Sequence, residues 1–343
     1  MKTTKTIFSL ILISFVLINP LSAQKTLKKK HSESFSNAAK STLVFDTKFA
    51  DINLVNHPSS TVDVLVKIEV KGKNEEKASA LLKKIDVSIE KDGNEILIKN
   101  TSKNMLNVGG DISIIIDVKA PVSVGLDMNA SYGDVSIAQI DGETNIKMTY
   151  GSFEAARLLH DQKDQPVSLD ISYCNPVMIG MVKHADMMLS YSKMKMRAAG
   201  VLRLDSEYSE VEIEKIINLS VTSDYGSLEL DEVSNIFAKS NHSGFLIKTI
   251  NKIADFYLKY GSLKIDQVLK PTESIKIDAE YSSIRLAGLE NISLRGETSN
   301  SQLQLPSWVE IQEKSVVQKS LSGGNGNTKL DIEIEYGNLI IHE

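Results

Sequence analysis

Apolar and polar residues alternate along short stretches of this chain, and the alternation keeps restarting in one frame. In "INLSVTSDYGSLEL" (217–230), Leu219, Val221 and Ser223 share the parity of Tyr225, and Leu228 and Leu230 follow it at three and five residues. The same frame gives Ile146, Met148, Tyr150, Phe153 and Ala155, then Phe256, Leu258, Tyr260, Leu263 and Ile265, then Ile275, Ile277, Ala279, Tyr281, Ile284 and Leu286. A period of two is the mark of a strand with one buried face. Each unit is therefore predicted to be a strand ending at tyrosine, a tight corner and a second short strand.

The tyrosine place is held by Tyr132, Tyr150, Tyr173, Tyr191, Tyr208, Tyr225, Tyr260, Tyr281 and Tyr336, with His242 and Asn300 in the same frame. From Tyr191 to Tyr260 the steps are 17, 17, 17 and 18 residues. A small residue follows each time, among them Gly133, Gly151, Cys174, Ser192, Ser209, Gly226, Ser243, Gly261 and Ser282. Because glycine and serine exchange there, small volume rather than a positive φ is the expected requirement at that position. The parity shared with buried residues predicts that the tyrosine column is an internal ladder.

Such a unit cannot bury its apolar face alone, so copies must stack into one continuous interior. The expected fold is mainly all-β: a right-handed parallel β-solenoid of about ten to twelve turns, its hand following the crossover rule. At ~4.8 Å between strands the rod would be roughly 50 Å long. "LVFDTKFADINL" (43–54) reads as a first coil, with Phe49 in the tyrosine place and Ala50 at the corner. A different pattern follows at about 61–120: a strand "TVDVLVKIEV", a helix from about Glu75 to Lys84, a hairpin turning at Asp92-Gly93-Asn94, and a strand "DISIIIDVKA". This α+β insert is expected to cap the N-terminal end, since a bare strand edge invites association. Bulges are expected at 156–166 and 266–273, and "LSGGNGN" near the C-terminus reads as a flexible loop.

Residues 1–23 read as a signal peptide: Lys2 and Lys5 precede an apolar run from Ile7 to Ile18, and Ser22-Ala23 is a small-residue cleavage site. The run is too short for a comfortable span, which needs ~20 residues, and the mature chain is expected to lack a transmembrane segment. Cleavage takes the formal net charge from −5 to −7 by removing two lysines. This mild acidity gives no reason to expect nucleic acid as a partner. Residues 24–42, with the basic run "KTLKKKH" (25–31), read as a solvated tail, and 43–343 as the solenoid domain. Cys174 is the only cysteine, so no intrachain disulfide can form and packing must supply stability. No cysteine lies near the cleavage site, which excludes the usual lipoprotein anchor.

Candidate chemistry is sparse. His31, His57, His160, His184, His242 and His342 form no metal pair at strand spacing and no HExxH, although His160 and His184 could meet on adjacent turns. Four residues after the tyrosine stand Ser136, Glu154, Lys195, Glu212, Glu229, Lys264, Arg285 and Gln304, a mixture of signs suited to a solvated face. Asp134, Asp170, Asp205 and Asp278 are spread over different turns rather than paired as in a glycosidase. The expectation is thus no catalytic, metal or cofactor-binding residue.

The leader, the first coil, the α+β insert and the tandem "Y-[GS]-x-Φ-x-Φ" turns together resemble the bacterial "putative adhesin" domain family of unknown function, related to the autotransporter-adhesin head domain. The resemblance runs from about Leu43 to Ile341, and Cys174-Asn175-Pro176 departs from its corner pattern. It implies an exported right-handed β-solenoid in the periplasm, at the outer surface or secreted, with no catalytic residues to carry over. The function expected is a non-catalytic, monomeric cell-envelope module binding a protein or polysaccharide. The alternative is a carbohydrate-active solenoid lyase or hydrolase with its site over the 156–166 loop.

Overall fold

A computed structural model describes residues 24–100 and 111–342; the proposed leader lies outside them. Strands dominate, and among the described residues Glu75–Leu82 is the one α-helix. Strands from successive coils pair in parallel, in register. Residues 193–207 lie on 210–224, these on 227–241, and these on 244–259. Inward residues of one coil are Val211, Ile213, Ile216, Leu219 and Val221, all buried. The two steps of three within this period-two series mark where the strand bends. Coil after coil repeats the pattern, so the buried side chains form one continuous core. Each fully buried aliphatic or aromatic side chain contributes about 1.5–3 kcal/mol.

The tyrosine column is not internal. Every member has positive φ, from +48° at Tyr208 and Tyr281 to +60° at Tyr150, and each ring is 40–50% exposed. Left-handed backbone at the tyrosine breaks the alternation one residue earlier than parity suggests. In the coil ending at Tyr208, Ser206 points in, Glu207 and Tyr208 both point out, and Ser209 points in. Alternation alone cannot register two successive outward residues.

This geometry explains the small residue. A Cβ added at Gly133 would stand 2.1 Å from the Ala50 carbonyl oxygen, and one at Gly226 would stand 2.4 Å from that of Ser209. Where serine is present, its buried hydroxyl accepts a hydrogen bond from the corner of the preceding coil. Cys174 N–H donates to Ser192 Oγ (3.0 Å), Ser192 N–H to Ser209 Oγ (3.1 Å), Gly226 N–H to Ser243 Oγ (3.0 Å) and Gly261 N–H to Ser282 Oγ (3.1 Å). Ser209 Oγ in turn donates to the Glu207 carbonyl at 2.8 Å. Volume and hydrogen bonding are thus both fixed at this position.

The insert expected at about 61–120 lies at the N-terminal end. Strand Val62–Gly72 runs antiparallel to Asp111–Ala120, which pairs in parallel with Asp51–Asn56 of the first coil. The helix starts at Asn74, whose side chain accepts from Lys77 N–H at 2.9 Å, and Gly93 turns the hairpin with φ +56°. Residues 25–35, expected as a tail, instead form strand Lys25–Phe35, antiparallel to Val62–Gly72. It is exposed almost throughout, so no periodicity in the sequence reports it. Asp117 ties this end together, accepting from Asn53 (3.0 Å) and meeting Lys67 (2.6 Å).

At the other end the order of coils departs from the order of the sequence. Thr328–Glu335 pairs in parallel with both Ser274–Glu280 and Ile292–Ser299, so the last strands lie between two earlier coils. Asn338–Ile341 is likewise flanked by Ser283–Leu286 and Gln302–Gln304. Within 300–336 the hairpin of Val309–Glu313 and Gln318–Gly323 lays an antiparallel strand on Ile292–Ser299. Part of the expected flexible loop "LSGGNGN" therefore belongs to a capping strand, with Gly324 at φ +70° just beyond it. The expected bulges lie between Leu158 and Val167 and between Val268 and Ser274.

Ser209→Ala is expected to destabilise by about 1–3 kcal/mol, because Ser192 N–H loses its acceptor in a buried corner; urea melts against wild type measure it. A second expectation concerns acid. Partial burial works to raise the Asp117 pKa, but the hydrogen bonds from Lys67 and Asn53 outweigh it and hold the carboxyl below the ordinary range. The contribution of Asp117 is thus present above the unfolded-state pKa and lost as pH falls through the folded one. Asp117→Asn should lower the denaturation midpoint at neutral pH, and the gap to wild type should close as the solution is acidified below the usual aspartate range.

Candidate binding surfaces

Two features of the outer surface stand out. The first is a ridge of stacked rings, running Phe49, Tyr132, Tyr150, Tyr173, Tyr191, Tyr208, Tyr225, His242, Tyr260, Tyr281 and Tyr336. Centroids of neighbours are 4.7–5.1 Å apart and interplanar angles lie between 1° and 23°. His242, read from the sequence as a substitute in the column, stacks between Tyr225 and Tyr260. The ridge follows the spatial order, so Tyr336 sits on Tyr281. Asn300 marks the next corner, since Tyr336 N–H donates to the Ser299 carbonyl at 2.9 Å.

Because each ring covers the faces of its neighbours, the ridge shows solvent its edges and phenol oxygens. Sugar rings stack on aromatic faces, so that mode is closed along the interior of the ridge. Among the described residues none of these phenols hydrogen-bonds within the chain. Loss of hydration, then the flanking phenols of Tyr173 and Tyr208, push Tyr191 above the usual tyrosine range.

The second feature is an open groove of about 790 Å³ across the strands that follow the corner. It is lined by Glu154, Arg157, Met178, Lys195, Glu212 and Glu229, among others, and a shallower hollow of about 650 Å³ continues it past Lys264 and Arg285. Six members of the outward column noted in the sequence, Glu154, Lys195, Glu212, Glu229, Lys264 and Arg285, are brought together here, and some of the charges pair across coils. Lys195 meets Glu212 at 2.5 Å, and Lys248 meets Glu229 and Asp231 at 2.8 and 2.6 Å. The hydrogen bonds that Lys248 donates to Asp231 and Glu229 raise its pKa. Elsewhere on the surface, Lys193–Glu210, Lys215–Glu232 and Arg203–Asp186 repeat the scheme. A sequence signal existed for most of these pairs: opposite charges 17 residues apart.

The other predicted candidates stay apart. Asp134 accepts from Ser152 N–H and Oγ (2.9 and 2.7 Å), Asp170 pairs with Lys147 (2.9 Å), and Asp205 and Asp278 lie on other coils. In the 159–166 loop, Asp161 contacts Lys183 at 2.9 Å and His184 at 3.8 Å, and the lysine hydrogen bond holds its carboxyl below the ordinary range. His160 is buried, with Nδ1 3.2 Å from the Asp141 carbonyl oxygen. Among the described residues no cluster of His, Cys, Asp and Glu is arranged to hold a metal ion. Burial raises the Cys174 thiol to about 11, which keeps it protonated and unreactive at neutral pH.

No protein-family model matches the chain, and no curated protein matches it. Among solved structures it is similar to one titled a "putative lipid binding protein" from Parabacteroides distasonis, at 8% identity and TM-score 0.31, over 92% of this chain and 97% of that one. It is also similar to a "putative adhesin" from Parabacteroides merdae, at 10% identity and TM-score 0.30, over 93% and 97%. A third, a "putative adhesin" from Bacteroides fragilis, shares 9% identity at TM-score 0.24, over 92% and 97%.

Tyr225→Ala is expected to cost about 1–3 kcal/mol, because two stacked ring contacts are lost at about 0.5–1.5 kcal/mol each. Glu229→Ala should stay within about 0.5 kcal/mol, as its pair with Lys248 is exposed and Asp231 remains. Paired denaturant melts measure both.

Proposed function

We propose that this chain is an exported, non-catalytic binding module of the cell envelope, which engages an extended protein or polysaccharide partner along the groove. In this reading residues 1–23 are a cleaved leader. The remainder is a right-handed parallel β-solenoid of ten to twelve turns, capped by the insert at about 61–120. The observation that carries the proposal is the groove: long, open and lined by charged residues, among them Glu212, Glu229 and Asp231 paired with lysines of neighbouring coils. A long open groove offers a polymer its shape, its hydrogen-bonding groups and a mixture of paired and unpaired charges. The Arg157 end adjoins the loop at 159–166, where a partner can meet irregular structure on a rigid scaffold.

Purified mature protein should be retained by native envelope material or by one member of a polysaccharide panel. Lys248→Glu, which sets a third acid beside Glu229 and Asp231, and deletion of 161–165, the exposed part of the loop, should each weaken retention at least tenfold, or by ~1.4 kcal/mol. No polymer in the panel should be cleaved. Reproducible cleavage abolished by one carboxylate substitution overturns the non-catalytic reading, and retention unaffected by both variants overturns the groove.

A further inference from the structure

We infer that the tyrosine ridge is a self-association surface, and that its occupant is the ridge of a second copy of this chain lying alongside. This concerns a different surface from the groove and holds whether or not the groove binds a polymer.

Repeat distance is the first argument. The ridge presents an aromatic edge at every coil from Tyr132 to Tyr336, 4.7–5.1 Å apart between centroids, and a phenol oxygen at each except His242. A partner that touches every rung must carry the same repeat. An extended peptide does not, because side chains on one face of a strand recur every ~6.6–6.8 Å, twice the rise per residue. A second stack of coils does, since its repeat is set by the same spacing between hydrogen-bonded strands, ~4.7–4.9 Å. Two such ridges stay in step along their whole length.

Area is the second. Nine tyrosines are 40–50% exposed in one line. Taking roughly 150–250 Å² for each whole aromatic side chain, they present about 800 Å². That exceeds the ~300–600 Å² of the largest apolar patch on a typical monomer. It equals the ~800 Å² that each partner gives to a standard interface.

Chemistry at the edge is the third. Phenylalanine would stack as well as tyrosine, yet apart from Phe49 and His242 the rings carry hydroxyls, and these have no partner within the chain among the described residues. A phenol both donates and accepts, so like edges can bond to one another across a two-fold axis, as an isologous contact requires. Residues just before the rings differ along the ridge. Ser131, Thr149, Ser172 and Ser190 border its first part, whereas Glu207, Asp224, Asn241, Lys259, Glu280 and Glu335 border its second, where Lys259 meets Glu280 at 3.1 Å. An antiparallel pair in full register sets Lys48 opposite Glu335, Ser131 opposite Glu280 and Ser190 opposite Asp224, and brings Glu207 to its own copy at the two-fold axis. Self-association through the ridge departs from the monomer expected from the sequence.

Sedimentation equilibrium and light scattering on the mature chain test the inference. A concentration-dependent dimer is expected. Tyr191→Asn/Tyr208→Asn/Tyr225→Asn should weaken it at least tenfold; Asn300 already occupies such a corner at φ +50°, so the backbone accepts asparagine there. Circular dichroism checks that the fold persists. Ser190→Glu, which faces Asp224 in that register, leaves every ring in place and should also weaken the dimer, with partial recovery in high salt as the new repulsion is screened. A monomer at all accessible concentrations, or a dimer indifferent to both variants, overturns the inference. So does a monomer whose tyrosine fluorescence responds saturably to a soluble oligosaccharide, because the ridge would then be a glycan surface.

Discussion

The structure depends on one corner, a bulky residue held in left-handed backbone and stacked on its equivalents. For a non-glycine side chain that conformation costs on the order of 1–3 kcal/mol. A lone coil has nothing to offset it. In the stack each ring gains two ring contacts, and its N–H donates to the carbonyl before the next ring, as Tyr208 N–H does to Asp224 at 3.0 Å. Meanwhile the following serine or glycine turns inward and closes the corner against the neighbouring coil. Strain and its relief therefore belong to neighbouring coils jointly, which makes the corner an element of cooperativity along the rod.

Both ends of the stack are closed by antiparallel strands, though by different routes. At the N-terminal end, separate segments stack outward from the first coil. At the C-terminal end the chain passes over the end as a hairpin and then threads back between two coils already laid down. The final strands are thus hydrogen-bonded on both sides instead of fraying at an edge. A terminal strand with two neighbours loses twice the pairing when it detaches, and the bare edge that would invite further strands is moved onto a short, twisted hairpin.

Much of this was legible from residue pattern, and the failures are physical. The repeat, the first coil at 43–54 and the helix near Glu75 follow from period, volume and capping, which local sequence encodes. Parity misplaced the tyrosines because it assumes extended backbone through the corner, and a single φ near +50° cancels that assumption for the residue concerned. His242 and Asn300 in the same column were a usable hint, since histidine and asparagine are enriched at positive φ. The strand Lys25–Phe35 was invisible because neither of its faces is buried, leaving composition without a period to read. The threaded order of the last coils was beyond reach, because 274–280, 292–299 and 328–335 carry the same motif and nothing local says which lies beside which. As for the groove, its pairs at a spacing of 17 were readable once the repeat was known; its shape was not.

The pairing of charges between coils constrains how this exterior can recognise anything. A field that steers a partner needs unbalanced charge, yet Lys195, Lys215 and Lys248 each face a carboxylate within 3 Å. A charged ligand at Lys195, Glu212 or Lys248 would have to displace an existing ion pair, exchanging one exposed contact for another of similar small worth. At those positions selectivity must come from fit to the hollow and from hydrogen bonds. The ridge is the opposite case. Its phenols are unpaired, its rings are already ordered by their neighbours, and little side-chain entropy remains to be lost when a partner arrives. Association at a surface so prepared is limited by whether the partner matches its repeat, a geometric condition that a second rod of the same coils meets by construction.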